Sequence, residues 1–390
     1  MKSIQMLDLK LEYDHMKKDI DEAIRTCLNH QRWILGPEVR GLEERIADYL
    51  GVKHCIGICS GTESLVLSLR ALAIKLKGQE FFDKTDEIIT TSFTFTATGD
   101  AILRAGATPV FIDIDPESYN IDIAHLGEYL NQNSELRTQN SKVVGIVPVH
   151  LYGQSCDMDN IMKIAEEHDL FVVEDVAQAF GGAWKDKKLG TIGTTGSFSF
   201  FPSKNLGGFG DGGMISTDDD RTMELVRMLL RHGGKDKYNV EHIGYNARLD
   251  TLQAAIVLAK FKYIDEFNVG RRKIAETYNE GLKGTEGIVL PASLPDAFHV
   301  SHQYTIRVLH GKRDDMQSSL KDKGISTMIY YPYPLHKMKV FGNGRSKSFG
   351  SLEQSETATE SVLSLPIEPL QQQDATLYVI DCIKEYCNNL

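Results

Sequence analysis

The sequence predicts an α/β fold, with a mostly parallel sheet in a large domain followed by a smaller α+β domain. Three observations carry this. Short β-rich runs alternate with helical stretches from residue 54 onward. The texture changes after about residue 255, where AAIVLAKFKYIDEFNVGRRKIAETYNEGL is long and helical and leads toward the strand QYTIRV. The 390 residues suit one large domain plus a smaller one. These place the domains at 1–255 and 256–390.

In chain order, Met16, Ile20, Ile24 and Leu28 recur every four residues and predict an N-terminal helix. LGPEVRGLEERIADYLG predicts a second, opened by Gly-Pro, with Leu42, Ile46 and Leu50 on one face and Gly51 at its end. HCIGIC, EIITTSFTF, PVFIDID, VVGIVPVH, FVVEDV and GSFSFF read as strands. TESLVLSLRALAIKL, ATGDAILRAG and NIMKIAEEHDL read as the helices between them. Residues 77–86 and 131–140 are polar and aperiodic and read as surface loops or short insertions. In such a sheet, ligands belong at the C-terminal ends of the strands.

Composition narrows the function classes. The net charge of −11 is spread along the chain, which argues against a phosphate-backbone binder, so no nucleic-acid partner is expected. No apolar run reaches the roughly 18 residues of a membrane span. The first residues have mixed charge and no apolar core, unlike a secretory signal. Six scattered cysteines without a CxxC pair fit reduced thiols in a cytoplasm. The 12 histidines form no HxxxH pair, so no metal is expected. There is no GxSxG elbow.

Three stretches carry candidate chemistry. In CSGTESL (59–65), Gly61 permits close backbone approach, Thr62 offers a hydroxyl, and the helix start suits a phosphate. Plain capping by Ser60 or Thr62 is the alternative. FVVEDVAQAFGG (171–182) ends a strand in two carboxylates. Such a group can face a ligand cation, cap a helix or bind a metal. SFSFFPSKNLGGFGDGG (197–213) places Lys204 among aromatics and glycines, where desolvation would lower its pKa and make a Schiff-base amine. An ordinary surface lysine is the alternative. The same stretch matches G-x-G-x-x-G, but PSKNLG separates strand from glycines, and MISTDDD after Gly213 reads as a strand. A dinucleotide turn needs a strand before the glycines and a helix after them.

Taken in order, SGTESL, TSFTFTATGDAI, EDVAQAFGG, SFSFFPSKNLGGFGDGG, GYNARLDTLQAAI and YYPYPLH resemble the DegT/DnrJ/StrS family. These are nucleotide-sugar aminotransferases of fold type I that use pyridoxal 5′-phosphate. WILGPEVRGLEERIADYLG also resembles the family, so the match spans about residues 33 to 366. The resemblance implies a seven-stranded mixed sheet and a cytoplasmic homodimer with shared active sites. It aligns Lys204 with the lysine that binds the cofactor and Asp175 with the partner of the pyridine nitrogen. Gln178 falls beside the ring, and Phe95 where an aromatic stacks on it. Gly61, Thr62 and Ser199 match phosphate contacts, with Glu63 where the family usually has aspartate. Asn246 matches the asparagine that reaches the phosphate from the neighbouring subunit.

The implied reaction moves an amino group from L-glutamate to a keto group of a UDP- or dTDP-linked hexose, for a surface glycan or natural product. Family members that dehydrate sugars carry histidine at the lysine position, whereas this chain keeps Lys204. Phe180 and the SFFPSKNLGGFGDGG pattern resemble the branch acting on 3-keto sugars. The 4-keto reaction and a non-catalytic regulatory homologue are the alternatives. Arg248 suits a carboxylate of glutamate or of a uronic acid, or an ion pair with Asp250. Tyr330, Tyr331 and His336 are placed to contact substrate, and His336 could instead support its loop.

Overall fold

The computed structural model describes residues 3–135, 142–236 and 238–389. Helix α1 (Leu9–His30) is capped by the Asp8 carboxylate, which accepts from the N–H groups of Lys10 and Leu11. Its Met16 and Ile20 pack against Ala259 and Phe267. Leu28, expected on the same face, is 54% exposed, and Cys27 is buried instead. A spacing of four gains about 40° per step on a helix of 3.6 residues per turn, so three steps carry Leu28 off the face. Helix α2 (Pro37–Leu50) starts with proline, ends at Gly51 with φ 76°, and buries Leu42, Ile46 and Leu50.

The main sheet contains β1 (His54–Ile58), β2 (Asp86–Thr91), β3 (Thr108–Ile112), β4 (Lys142–Ile146), β5 (Phe171–Asp175), β6 (Thr195–Ser199), β7 (Gly213–Thr217) and β8 (Lys347–Ser348). Their order is β1-β7-β6-β5-β4-β2-β3-β8. Only β7 runs against the others, paired antiparallel with both β1 and β6. The seven strands expected are thus joined by a two-residue eighth at the edge. Two exposed polar residues carry no strand signal, and β3 recruits them after chain reversal has brought them alongside. Helix α3 (Gly61–Lys77) follows β1 and buries one face against β5, β6 and β7. Its Leu65, Val66, Leu69 and Leu72 pack with Phe82, Ile88 and Val173.

A second, antiparallel sheet joins 288–289, Tyr304–Val308 and Val362–Leu365, with helices Ile264–Leu282, Arg313–Asp322 and Gln373–Asn388 around it. Ala254, Val257, Phe261 and Ile264 belong to the core under the large sheet, whereas Ile274 and Tyr278 pack with the small one. We propose that the division runs through the Ile264–Leu282 helix, since residue 255 lies inside the helix Thr251–Phe261. The first residues also join the small sheet's side: Ile4 bridges Ile325, and the Ile367 N–H donates to Met6 O at 3.3 Å.

The two polar stretches are less loop-like than they read. Within 77–86, Phe82 is buried and its N–H donates to Ala105 O at 2.9 Å, and Asp86 opens β2. Residues 131–135 continue the helix Ile123–Glu135, and 136–140 lie outside the described residues. Among the described residues, no helix is long and apolar enough to cross a membrane.

Candidate active site

A cavity of about 450 Å³ opens at the C-terminal ends of β1, β2, β5 and β6. A larger cleft of about 760 Å³ lies beside Lys273 and Pro369, but it gathers no comparable set of perturbed buried groups. The smaller cavity is built turn by turn, each wall set by the end of one strand.

The β1–α3 turn supplies Ser60, Gly61 and Thr62. Ser60 caps α3 by accepting from the Glu63 N–H at 3.1 Å, so the capping alternative holds for Ser60. The remaining free N–H groups of the helix start face the cavity side. A Cβ on Gly61 would meet Ser199 Cβ at 2.6 Å, so only glycine lets these two segments approach. Ser199 closes β6 beside it and also lines the cavity.

Glu63 points elsewhere. It is two residues into α3, about 200° around the axis from Gly61, and its Oε1 pairs with Arg104 at 2.5 Å. It does not line the cavity.

The end of β5 supplies the acidic group. Asp175 is 5% exposed and accepts from Thr98 Oγ1 at 2.8 Å and from the Ala177 N–H at 3.1 Å. Burial pushes its carboxyl above the ordinary value, opposed by Thr98, the Ala177 N–H and Lys204. No helix follows Asp175, so it caps none. The neighbouring Glu174 faces the other way along the strand. It accepts from the N–H groups of Gly190, Ile192 and Gly193 and meets His150 Nε2 at 3.1 Å. His150 Nδ1 accepts from the Cys156 N–H, which leaves the proton on Nε2, directed at Glu174. The pair of carboxylates thus divides into one that braces the scaffold and one that faces the cavity.

Lys204 follows the Pro202–Ser203 turn, its N–H bonded to Phe201 O at 2.8 Å. Its side chain lines the cavity with Asp175, and burial pushes the amine down to about 8 despite the opposing attraction of Asp175. Downstream, the glycines form no dinucleotide turn. Residue 213 opens a strand, and a Cβ there would meet the Ser60 backbone at 2.6 Å.

Gln178 bridges two walls: its Oε1 accepts from the Tyr152 N–H at 2.7 Å, and its Nε2 donates to Tyr331 Oη at 2.7 Å. Tyr330 and Tyr331 line the cavity from the C-terminal part. Phe95 lines it too, 55% exposed, with its ring 6.0 Å from that of Tyr331.

Besides Glu63, three expected site residues stay outside this cavity. His336 accepts from or donates to Ser92 Oγ at 2.6 Å through Nδ1, and its Nε2 meets Glu356 at 3.0 Å, so it supports its loop. Arg248 bonds to Asn246 Oδ1, and among the described residues it makes no ion pair with Asp250 or any other acid. Neither Asn246 nor Arg248 lines the cavity; they lie on an arm beside the end of β1, where Arg248 bridges Ile58 and Asn246 bridges Arg231.

The cavity also contains groups that sequence reasoning missed. Thr98, in the first turn of Thr96–Arg104, reaches Asp175. His302 lines the cavity and donates from Nδ1 to Asn205 Oδ1 at 2.8 Å, because Asn205 Nδ2 is already donating to Asn268. Burial, Lys204 and Arg271 hold His302 well below its usual pKa, so it is neutral. Thr98 carried a signal in its place just after a strand end; His302, preceding a strand, carried none.

Three comparisons bear on this site. The family model described as the DegT/DnrJ/EryC1/StrS aminotransferase family matches residues 14–384. The chain is 42% identical over 98% of each chain to the "Pleiotropic regulatory protein" of Geobacillus stearothermophilus. It is 38% identical, over 94% of its own length and 95% of the relative's, to the "UDP-2-acetamido-2-deoxy-3-oxo-D-glucuronate aminotransferase" of Pseudomonas aeruginosa. Among solved structures, S. venezuelae DesV in complex with a ketimine intermediate superposes with a TM-score of 0.91 at 36% identity, covering 100% of both chains.

Proposed function

This chain belongs to the DegT/DnrJ/EryC1/StrS aminotransferase family, and from that premise we propose that it aminates C3 of a UDP- or dTDP-linked keto-hexose, with L-glutamate as donor. The product would be an aminosugar for a surface glycan or natural product. Lys204 and Asp175 share one cavity, with the amine lowered to about 8 beside a buried carboxyl, and this observation carries the reading.

The enzyme is a pyridoxal 5′-phosphate aminotransferase, and the residues present fit that cofactor. The cradle that a Gly61 Cβ would fill, beside Ser199 and the start of α3, suits a phosphate. A carboxyl raised by burial suits a cationic ring nitrogen that would offset its desolvation. Gly61, Thr62 and Ser199 would hold the phosphate, Asp175 the ring nitrogen, Phe95 one ring face, and Gln178 the ring's edge. When bound, the cofactor acts as electron sink and amino-group carrier.

The chain's own residues then do the rest. Thr98 and the Ala177 N–H orient Asp175 and favour its anion. Lys204 Nζ, with a pKa near working pH, takes up and returns a proton at its own amine. Gln178 and Tyr331 close the wall against water. Neutral His302 leaves the amine free of a competing cation.

The 3-oxo substrate in the name of the Pseudomonas aeruginosa relative supports C3. Asn246 and Arg248, outside this chain's cavity, would serve a second copy, in a homodimer with shared sites. Exposed Phe95 and Phe201 at the cavity and Trp33, whose carbonyl accepts from the Thr251 N–H near Arg248, support such a contact face. Arg248 would bind a substrate carboxylate there. Glu63 would act on the phosphate only indirectly, by holding the start of α3 against Arg104.

The test is a panel of UDP- and dTDP-linked 3-keto and 4-keto sugars assayed with L-glutamate. Amination of 3-keto sugars alone is the expected result; preference for 4-keto sugars overturns the C3 assignment. A second reading, a regulator that keeps the fold, is favoured by the name of the Geobacillus relative. Cofactor binding without consumption of any amino donor would establish it.

A further inference from the structure

Residues 77–86 do more than connect α3 to β2. Arg70 lies on α3, about three turns beyond Ser60, and is fully buried. A buried guanidinium is costly unless its donors are used, and here nearly all of them serve two segments. Nη1 donates to Tyr245 Oη at 2.6 Å, and Nη2 donates to Ile243 O and to Glu80 Oε2, both at 3.0 Å. Nε donates to Glu80 O, and the Phe81 ring lies 3.7 Å from Cζ. Glu80 completes the bracket. Its Oε2 accepts from the Ile243 N–H at 3.1 Å, and its Oε1 meets His242 Nδ1 at 2.7 Å.

The bracket therefore holds both the N–H and the carbonyl of Ile243, in the exposed middle of an arm whose far end is tied down by the Tyr245 and Ala247 N–H groups donating to Leu229 O and Leu230 O. Ile243 is 60% exposed and Val240 54% exposed. Three residues after Ile243 comes Asn246, which does not reach this chain's cavity. The arm then returns to the strand end that starts α3, where the Cys59 N–H donates to Ala247 O at 2.9 Å.

We propose that Arg70 and Glu80 are positioning residues that fix the arm 238–248, so that Asn246 meets the cofactor phosphate in a second copy's cavity. This rests on the shared-site reading above. One helix then sets two sites: the start of α3 shapes its own phosphate cradle, and its middle aims the arm at the other. Arginine suits the task because its planar fork can bond two segments in fixed directions.

The test uses mixed dimers purified through two different tags, with Glu80→Ala as the slackened bracket. Glu80 is one-third exposed, and Arg70 keeps its bonds to the residue-80 carbonyl, Tyr245 Oη and Ile243 O, so the change loosens the bracket without stripping the guanidinium bare. The first dimer pairs a Lys204→Ala chain with a Glu80→Ala chain. The second pairs a Lys204→Ala/Glu80→Ala chain with an unaltered chain. Each has one live lysine, whose visible cofactor band reports half-saturation by pyridoxal 5′-phosphate. In the first dimer the live site receives a braced arm, and it should saturate as in the unaltered protein. In the second it receives a slack arm, and it should need about tenfold more cofactor.

The reverse order would mean that the bracket serves its own chain, and equal values with lowered melting temperatures would mean that it only stabilises the fold. Either overturns the proposal. If no mixed dimer forms although the unaltered and the Glu80→Ala chains alone still bind cofactor at Lys204, the shared-site reading falls and the proposal with it.

Discussion

The floor of the cavity and the arm 238–248 are held in different ways. On the floor, each functional group is fixed by near neighbours in the same layer: Asp175 by Thr98 and the Ala177 N–H, Gln178 by the Tyr152 N–H and Tyr331. The arm hangs at its middle on a remote anchor, Arg70 with Glu80, and at its end on backbone bonds of Tyr245 and Ala247 to Leu229, Leu230 and Cys59, and its Asn246 does not line the cavity of its own chain. The floor's contacts all lie within one chain, whereas under the shared-site proposal the arm serves a second copy. Changes on the floor should therefore act within a chain and strongly, and changes on the arm across chains and more gently.

The largest expected effect is at Lys204. Lys204→Ala should lower turnover by at least about 10⁴-fold, since it removes both the attachment point and the proton carrier. Steady-state rates with glutamate and a keto sugar check this, and a loss under tenfold would break the contrast. Asp175→Asn comes next, with about 10²–10³-fold lower turnover, the scale of losing one preorganised charge. Folding should persist, because the amide oxygen can accept from the Ala177 N–H while the amide NH2 donates to the Thr98 hydroxyl oxygen, which rotates to accept.

The pH dependence sharpens the comparison. Only the neutral amine of Lys204 captures the cofactor, and burial places its pKa near 8. Capture by the apoprotein should rise about tenfold per pH unit and level off near pH 8. A plateau near pH 10.5 would mean an amine with no desolvation.

Asn246→Ala should weaken cofactor binding by about tenfold, with little change in turnover at saturation. Smallest of all, His336→Asn should change KM and kcat by less than about threefold, because its bonds to Ser92 and Glu356 serve the loop.

Much of the floor was legible because its chemistry lies in contiguous runs at strand ends. EDVAQ and FPSKN each place their polar residues where a parallel sheet presents ligands. What escaped were contacts between runs distant in sequence. Thr98 meets Asp175 across 77 residues, and His302 meets Asn205 across 97. The polarity of 77–86 hid a buried Phe82 and a bracket whose partners lie more than 160 residues away. The four-residue spacing of α1 was legible as a helix, yet it misplaced Leu28, because a spacing of four is not the helical period. The edge strand β8 is too short and too polar to announce itself.

The central claim is that Lys204 and Asp175 form a working aminotransferase site around pyridoxal 5′-phosphate. The most direct measurement is the visible absorption spectrum of the purified protein with cofactor, before and after L-glutamate. The account predicts a visible band that glutamate shifts to shorter wavelength and that Lys204→Ala abolishes. A protein that shows no such band, or one that keeps it without Lys204, would contradict the account.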